Sequence, residues 1–502
     1  MENAMDNRNQ LMQARRQKLQ RLVDMQVNAY PNRSHRTHVV SELIARKDEL
    51  IESEERVSVT GRLVALRRQG KVGFGNIADE SGNIQIFVRK DNTGEENYDV
   101  FKACDLGDFV QVDGICFVTQ MGEYSVKVNK VTILCKALRP LPVVKEKVVD
   151  GKTIRYDEFH DIETRYRKRY LDLLLNPEHK HSFETRAHLI SGIRHFLEGR
   201  GFLEVETPIL TPLYGGAQAR PFLTHHNTLD IELYMRIAIE LYLKRLIVGG
   251  FERVYEIGKV FRNEGMDRSH NPEFTLLELY QAYTDLDGMI ELTESLIKHL
   301  AKEVLHTDTI TCNDVELDFK APFCQATMLD LIKEYAGFDA SDFDFDKINA
   351  FCLEHKIEVA PSAGSGKLIE ALFDHFVEPK LIQPTFVLDY PREISPLAKL
   401  KPGETEIVER FELFIMGNEY ANAFTELNDP IDQRQRLEDQ VKMREMGDSE
   451  ANLMDEDFIE AMEYGMPPTG GLGIGIDRLI MLFTNNTSIK EVILFPQMKP
   501  EH

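Results

Sequence analysis

From Val57 onward apolar residues recur at every second position, and a chain so patterned can bury them together only as strands paired into a sheet. Val57, Val59 and Leu63 open the pattern, Ile84, Ile86 and Val88 repeat it, and Tyr124, Val126, Val128, Val131 and Ile133 close it. Ser81-Gly82-Asn83 and Met121-Gly122-Glu123 carry turn residues between strand pairs, and Asn97 to Asp105 predicts a short intervening helix. Alternation stops at Lys136. The stretch from there to Val148, with Leu138-Arg139-Pro140-Leu141-Pro142 inside it, reads as a linker.

Five short strands around one helix fit a small, partly open barrel of the OB type over residues 57–148. In front of it, Asn9 to Ala29 sets Leu11, Leu19, Leu22 and Val23 on one side and basic residues on the other until Pro31 stops the helix. Residues 1–56 are thus expected to form a helical segment packed on the barrel, its basic face either solvated or touching a nucleic acid. Most of the 502 residues remain for a second domain over 149–502. After the basic stretch Arg165-Tyr166-Arg167-Lys168-Arg169-Tyr170, the spacing of Leu189, Ile193 and Phe196 predicts a long helix ending at Gly199 and Gly201. Strands and helices then mix without a βαβ rhythm, so this domain is expected to be α+β, a central antiparallel sheet flanked by helices.

The net charge of −23 excludes a simple nucleic-acid coat protein, so any phosphate contact must be local. No apolar run reaches the length of a membrane span and the first thirty residues lack a secretory signal, so a cytoplasmic protein with no membrane partner is expected. Six cysteines without a CxxC pair read as free thiols rather than a zinc site.

Three stretches carry chemistry. In Phe261-Arg262-Asn263-Glu264, followed by His270-Asn271-Pro272-Glu273-Phe274-Thr275, strand periodicity puts Arg262 and Glu264 on one face and Phe274, Leu276, Glu278 and Tyr280 on one face of a returning strand. That hairpin offers an arginine for an anionic oxygen, an aromatic plate for a flat ring and carboxylates for a cation. The same residues also suit an ordinary strand pair in which Arg262 bonds Glu264 and Phe274 is core. A second hairpin, Phe411 to Glu426 with a turn at Gly417-Asn418, puts Glu412 and Glu419 on one side, as Mg²⁺ would require or as a solvent-facing acid pair would allow. Asn422 and Glu426 fall on the opposite face, and would join Glu419 only through a bulge or twist. The third stretch, Gly470-Gly471-Leu472-Gly473-Ile474-Gly475-Ile476-Asp477-Arg478, runs into a helix whose start beside Arg478 favours phosphate, or is simply a close-packed helix entrance. Its glycine spacing is not that of a dinucleotide fingerprint, and Gly366-Lys367 lacks the flanking residues of a P-loop.

In this order the three stretches resemble motif 2 (about 255–281), the metal-binding hairpin and motif 3 (about 470–485) of the class II aminoacyl-tRNA synthetases. Gly201-Phe202-Leu203-Glu204-Val205-Glu206-Thr207-Pro208 resembles motif 1 (about 192–210), which implies a homodimer interface. With a barrel in front, the order is similar to the subclass of aspartate, asparagine and lysine enzymes, and similarity to the bacterial lysyl-tRNA synthetases runs nearly the whole chain.

The resemblance implies that ATP and L-lysine form a lysyl-adenylate and that tRNA(Lys) accepts the lysine at its 3′ end. It implies catalytic roles for Arg262 and Arg478. Arg262, Glu264, His270, Asn271, Phe274, Glu412 and Arg478 would hold ATP, and Glu412 and Glu419 would hold Mg²⁺, with more than one ion bound. Gly216, Glu240, Arg262, Glu278, Tyr280, Asn422 and Glu426 would hold lysine. An aspartate enzyme would need a cation where Glu426 stands, which favours lysine. In the barrel, Phe74 and Gln85 on neighbouring strands, with Arg68 and Glu123, would read the anticodon, although composition alone makes Phe74 barrel core. A ligase acting on a protein or free amine would lack the barrel, and a non-catalytic relative would lose motif residues that are present here.

Overall fold

The computed structural model describes residues 2–142, 145–149, 152–156, 159, 161–358, 363–445 and 452–501. The chain forms two compact units, residues 1–160 and 161–502.

In the first unit, strands β1 (Arg56–Gln69), β2 (Val72–Asp79), β3 (Gly82–Arg89), β4 (Phe109–Val118) and β5 (Tyr124–Cys135) close a barrel in the order β1-β2-β3-β5-β4. Every neighbouring pair is antiparallel except β3 and β5. The alternating residues fill its core, and of those the pattern marked only Tyr124 is less than buried. The helix after β3 spans Lys90–Ala103, earlier and longer than Asn97 to Asp105. Gly94 interrupts it at φ 76°, so only its second half carries an unbroken helical pattern. The N-terminal helix, Glu2–Asp24, buries Leu22 but leaves Leu11 and Val23 exposed. Its Arg15 is buried, donating to the carbonyls of Leu106 at 2.8 Å and Ala137 at 2.9 Å, so part of the basic face is structural.

The segment expected as a linker starts inside this unit. Lys136 is buried, its Nζ 2.7 Å from carboxylate oxygens of both Asp105 and Asp108. Further on, β6 (Lys145–Val149) pairs with β7 (Lys152–Tyr156), while residues 143–144 lie outside the described residues.

The second unit is built on an eight-stranded sheet. Its strands are β8 (Leu203–Glu204), β12 (Arg253–Phe261), β13 (Glu273–Ala282), β16 (Cys324–Thr327), β17 (Thr385–Pro391), β18 (Ile407–Ile415), β19 (Asn418–Thr425) and β20 (Thr469–Gly475), in the order β16-β17-β18-β19-β20-β13-β12-β8. Only the two edge pairs are parallel. Beside it β9 (Leu210–Thr211), β10 (Leu223–His226) and β11 (Ile231–Met235) make a small sheet, and β14 (Thr309–Cys312) pairs with β15 (Val315–Asp318).

Period-two alternation divides the faces of the large sheet. Leu277, Leu279, Leu413, Ala421, Ala423, Leu472 and Ile474 point into a core shared with the helices Lys180–Gly199, Leu286–Val304 and Ile476–Phe483. Their neighbours Glu278, Tyr280, Glu412, Asn422, Gly471 and Gly473 line a cavity on the other face. Three helices between Met328 and Phe376 pack a separate core against β17 and β18. No helix among the described residues is long and apolar enough to cross a membrane.

Candidate active site

The cavity occupies about 430 Å³. The first hairpin's ladder runs to the pair Phe261 and Glu273, and the Arg262 N–H extends it by donating to Pro272 at 2.9 Å. Arg262 thus leaves the strand at a fixed height, with its guanidinium 5.1 Å from the centre of the Phe274 ring and Nε donating to the Ile237 carbonyl at 3.4 Å. Burial lowers its pKa from an ordinary value so high that it stays a cation. The alternative of an Arg262–Glu264 pair inside a core is not what forms: Glu264 is exposed at the rim, and Phe274 is a half-buried plate in the cavity wall.

Asn271 is buried, and its Oδ1 has no hydrogen-bond partner in the protein. Arg478, two residues into the helix Ile476–Phe483, donates to the Glu419 carbonyl at 3.0 Å and meets His270 Nε2 at 3.1 Å, which joins motif-2-like and motif-3-like stretches.

In the second hairpin the turn is Met416-Gly417, one residue earlier than expected, with φ of 54° and 66°, the geometry that two-residue hairpin turns favour. Glu419 opposes Phe414 while Ala421 opposes Leu413, so Tyr420 is an extra residue in β19. This bulge reverses the alternation and sets Asn422 opposite Glu412, on the face that Glu419 also shares. Glu412 is held by Tyr390 Oη at 3.0 Å and Arg410 Nη2 at 2.5 Å, and its burial pushes the carboxyl pKa up against the pull of Arg410. Arg410 also donates to Asn422 Oδ1 at 3.1 Å, leaving the amide N–H groups of Asn422 for an acceptor in the cavity.

At the closed end, Gly216 has φ 83°, and a Cβ there would come within 3.2 Å of both Ala238 and Glu240. Only glycine lets the loop approach Glu240 so closely. Glu278 accepts from the Ile239 N–H at 3.0 Å and from Tyr280 Oη at 3.3 Å. Burial, reinforced by Glu240, pushes its pKa up to about 7. Glu426 is fully buried and is the one candidate that does not line the open cavity. It lies deeper on the cavity face of the sheet, over Gly471, where a Cβ would fall 2.0 Å from Glu426 Oε1, and its Oε2 is ion-paired with buried Lys244. Lys244 and Arg410 escaped the sequence reading. The signals were there, in Lys244 four residues after Glu240 on the helix Glu240–Val248 and Arg410 two before Glu412 on β18.

On the barrel, Phe74 is exposed rather than core, paired across the ladders with Arg67 and with Phe87, whose ring centre is 5.1 Å away. Gln85 accepts from Ser125 Oγ at 2.8 Å, and Glu123 is exposed on the turn before β5. Arg68 is not brought to this face. Its guanidinium donates to the carbonyls of Phe101 and Cys104 at the end of the barrel helix, because residues adjacent in a strand point to opposite sides. Arg67 takes the place beside Phe74 that the sequence suggested for Arg68.

Residues 161–499 match the family model of class II tRNA synthetases (D, K and N), and residues 57–134 match that of the OB-fold nucleic acid binding domain. The chain is 51% identical over 497 residues to the lysine–tRNA ligase of Bacillus subtilis (strain 168), covering 98% of this chain and 97% of that protein. It is 52% identical over 495 residues to that of Shouchella clausii (strain KSM-K16), covering 97% and 96%. To that of Lactococcus lactis subsp. cremoris (strain MG1363) it is 51% identical over 501 residues, covering 98% and 99%.

Proposed function

The chain belongs to the class II lysyl-tRNA synthetases, and on that premise we propose how its residues carry out the ligation of lysine to tRNA(Lys) with ATP. The observation that carries the reading is one cavity whose wall carries Arg262, with three acidic side chains, Glu240, Glu278 and Glu426, in or just beyond that wall. A long amino acid with an ammonium at each end and a carboxylate suits that polarity. Its ε-ammonium leaves water only where hydrogen-bonded anions replace the hydration.

Lysine lies with its α-amino group at Gly216 and Glu240, its carboxylate between Arg262 and the Asn422 amide, and its ε-ammonium toward Glu278, Tyr280 and Glu426. The adenine rests on Phe274, with Glu264, His270 and Asn271 around it, and Arg478 meets the far phosphate. No protein nucleophile is required. A lysine carboxylate oxygen attacks the α-phosphorus in line, the bond to the bridging oxygen breaks, and pyrophosphate leaves. Arg262 positions both reactants and neutralises charge as it develops. Glu412 and Glu419 would hold Mg²⁺. Among the described residues no third acidic, histidine or cysteine ligand joins them, which fits an ion that keeps phosphate and water in its other positions. That ion supplies charge neutralisation at the phosphates, and more than one is expected with ATP. The terminal hydroxyl of the tRNA then attacks the adenylate carbonyl and releases AMP.

Phe74 and Gln85, with Glu123 nearby, read the anticodon as a stacking plate with hydrogen-bonding groups, and Arg67 is a better neighbour for it than Arg68. Ile209, Leu210, Leu213, Leu223 and Ile231, exposed on and around β9, β10 and β11, are the surface we assign to a homodimer. Six free cysteines accord with a cytoplasmic location. Charging of a tRNA(Lys) transcript tests the reading as a whole: lysine is esterified to it, and Phe74→Ala weakens charging through the tRNA KM. Failure to charge in the wild type overturns the proposed activity, and an unchanged tRNA KM in the variant removes Phe74 from the anticodon site.

A further inference from the structure

Lys244 is fully buried behind the closed end of the cavity, and no step above uses it. Its Nζ donates to Glu240 Oε1 at 2.5 Å and is ion-paired with Glu426 Oε2. The rings of Phe424, Phe458 and Tyr280 surround it at 5.4, 5.9 and 6.0 Å from their centres. A lysine in such a place is held only by its two carboxylates. Those carboxylates are the ones assigned to opposite ends of the substrate, Glu240 to the α-amino group and Glu426 to the ε-ammonium.

Charge counting gives the arrangement a purpose. Glu240, Glu278 and Glu426 carry three negative charges when ionised, and Lys244 carries one positive charge among them. The remainder, two negative charges, equals the two ammonium groups of a lysine zwitterion whose carboxylate is neutralised by Arg262. Geometry points the same way. Lys244 takes Glu426 by Oε2, while Oε1 accepts no hydrogen bond and sits where a Cβ of Gly471 would be, beside the Tyr280 ring. One oxygen is thus tethered and the other is left toward the cavity wall.

We infer that Lys244 is a positioning residue for substrate selection: a built-in counter-ion that anchors Glu240 and Glu426 and leaves an anionic deficit that a diamino acid fills. This rests on the lysine pocket proposed above. Without Lys244, Glu426 loses its partner in a site that water does not reach, and a buried carboxylate so deprived takes up a proton and stops attracting an ammonium.

The test is the ratio of Kd for 6-hydroxynorleucine, which has a neutral hydroxyl in place of the ε-ammonium, to Kd for lysine, measured by calorimetry on the full-length protein. K244M, close in shape and uncharged, should lower this ratio by about tenfold or more, chiefly through weaker lysine binding. In a double-mutant cycle with E426Q the two losses should overlap, so that K244M changes the ratio by less than about twofold in the E426Q background. An unchanged ratio in K244M, or losses that multiply in the double variant, overturns the inference. Should K244M fail to fold, K244R decides: a ratio within about threefold of wild type supports the counter-ion, and a loss of about tenfold in folded protein overturns it. If E426Q alone leaves the ratio unchanged, the lysine pocket itself is misassigned, whatever Lys244 does.

Discussion

Arg262 emerges from a strand end whose height is set by a backbone bond to Pro272, with Phe274 beneath its guanidinium. A planar cation held in this way can bridge two anions without reorganising. Arg262→Ala is accordingly expected to reduce lysine-dependent ATP–pyrophosphate exchange to background, and near-wild-type exchange would refute its role. Glu426 is fully buried over Gly471, and we propose that it acts on the ε-ammonium from there. Glu426→Gln should weaken lysine by an amount on the order of 3 kcal/mol, seen in the lysine KM or in kcat, as expected for losing a buried charge partner. A change of only a few tenths of that removes Glu426 from the pocket. Glu278 is expected to make the pocket sensitive to pH, in the company of Glu240, Lys244, Arg262, Tyr280 and Glu426. Burial first, then Glu240, raises its folded-state pKa to about 7, so the carboxyl holds a proton below that pH. The protonated form favours the ligand-free fold at low pH and loses that contribution as pH rises through about 7, while the proposed contact with lysine needs the ionised form. Lysine KM should therefore rise as pH falls below about 7, and Glu278→Gln should flatten that part of the profile. A profile of the same shape in the variant would place the titration elsewhere.

Strand β20 contributes a face without side chains. Gly471 and Gly473 leave the cavity open, and Gly471 makes room for Glu426 Oε1 and the Tyr280 ring on the same face of the sheet. Gly471→Ala would set a methyl 2.0 Å from Glu426 Oε1 and 2.6 Å from the Tyr280 ring. Its lysine KM should rise by about tenfold or more with the ATP KM little changed, and equal effects on both would mean that β20 acts on the whole site. The alternation of each strand was legible because burial on one face enforces it, and that sufficed to place Glu278 beside Tyr280 and to fill the barrel. The Tyr420 bulge was not legible. One extra residue changes the register without changing composition, yet it decides whether Asn422 and Glu419 share a face. Arg68 and Arg67 show the same limit: adjacent arginines are chemically alike in the sequence, and the ladder alone settles which one accompanies Phe74. The Lys244 pair needed a three-dimensional partner, since Glu426 lies 182 residues away from it.

At the scale of the molecule, a chain of net charge −23 must meet RNA through local surfaces, and the barrel face with Phe74, Arg67 and Gln85 is the one we propose. Around β9–β11, Ile209, Leu210, Leu213, Leu223 and Ile231 leave an apolar surface exposed. Leu223→Asp with Ile231→Asp should turn a dimer into a monomer by light scattering, with activity falling alongside. A wild-type monomer at micromolar concentration would remove the interface. In the second unit, the buried acids around one cavity are proposed to select a diamino acid for adenylation. ATP–pyrophosphate exchange measured with each of the twenty amino acids tests it most directly. Exchange should be strong with lysine and near background with the others, arginine included. Equal or faster exchange with any other amino acid, above all aspartate or asparagine, would contradict it.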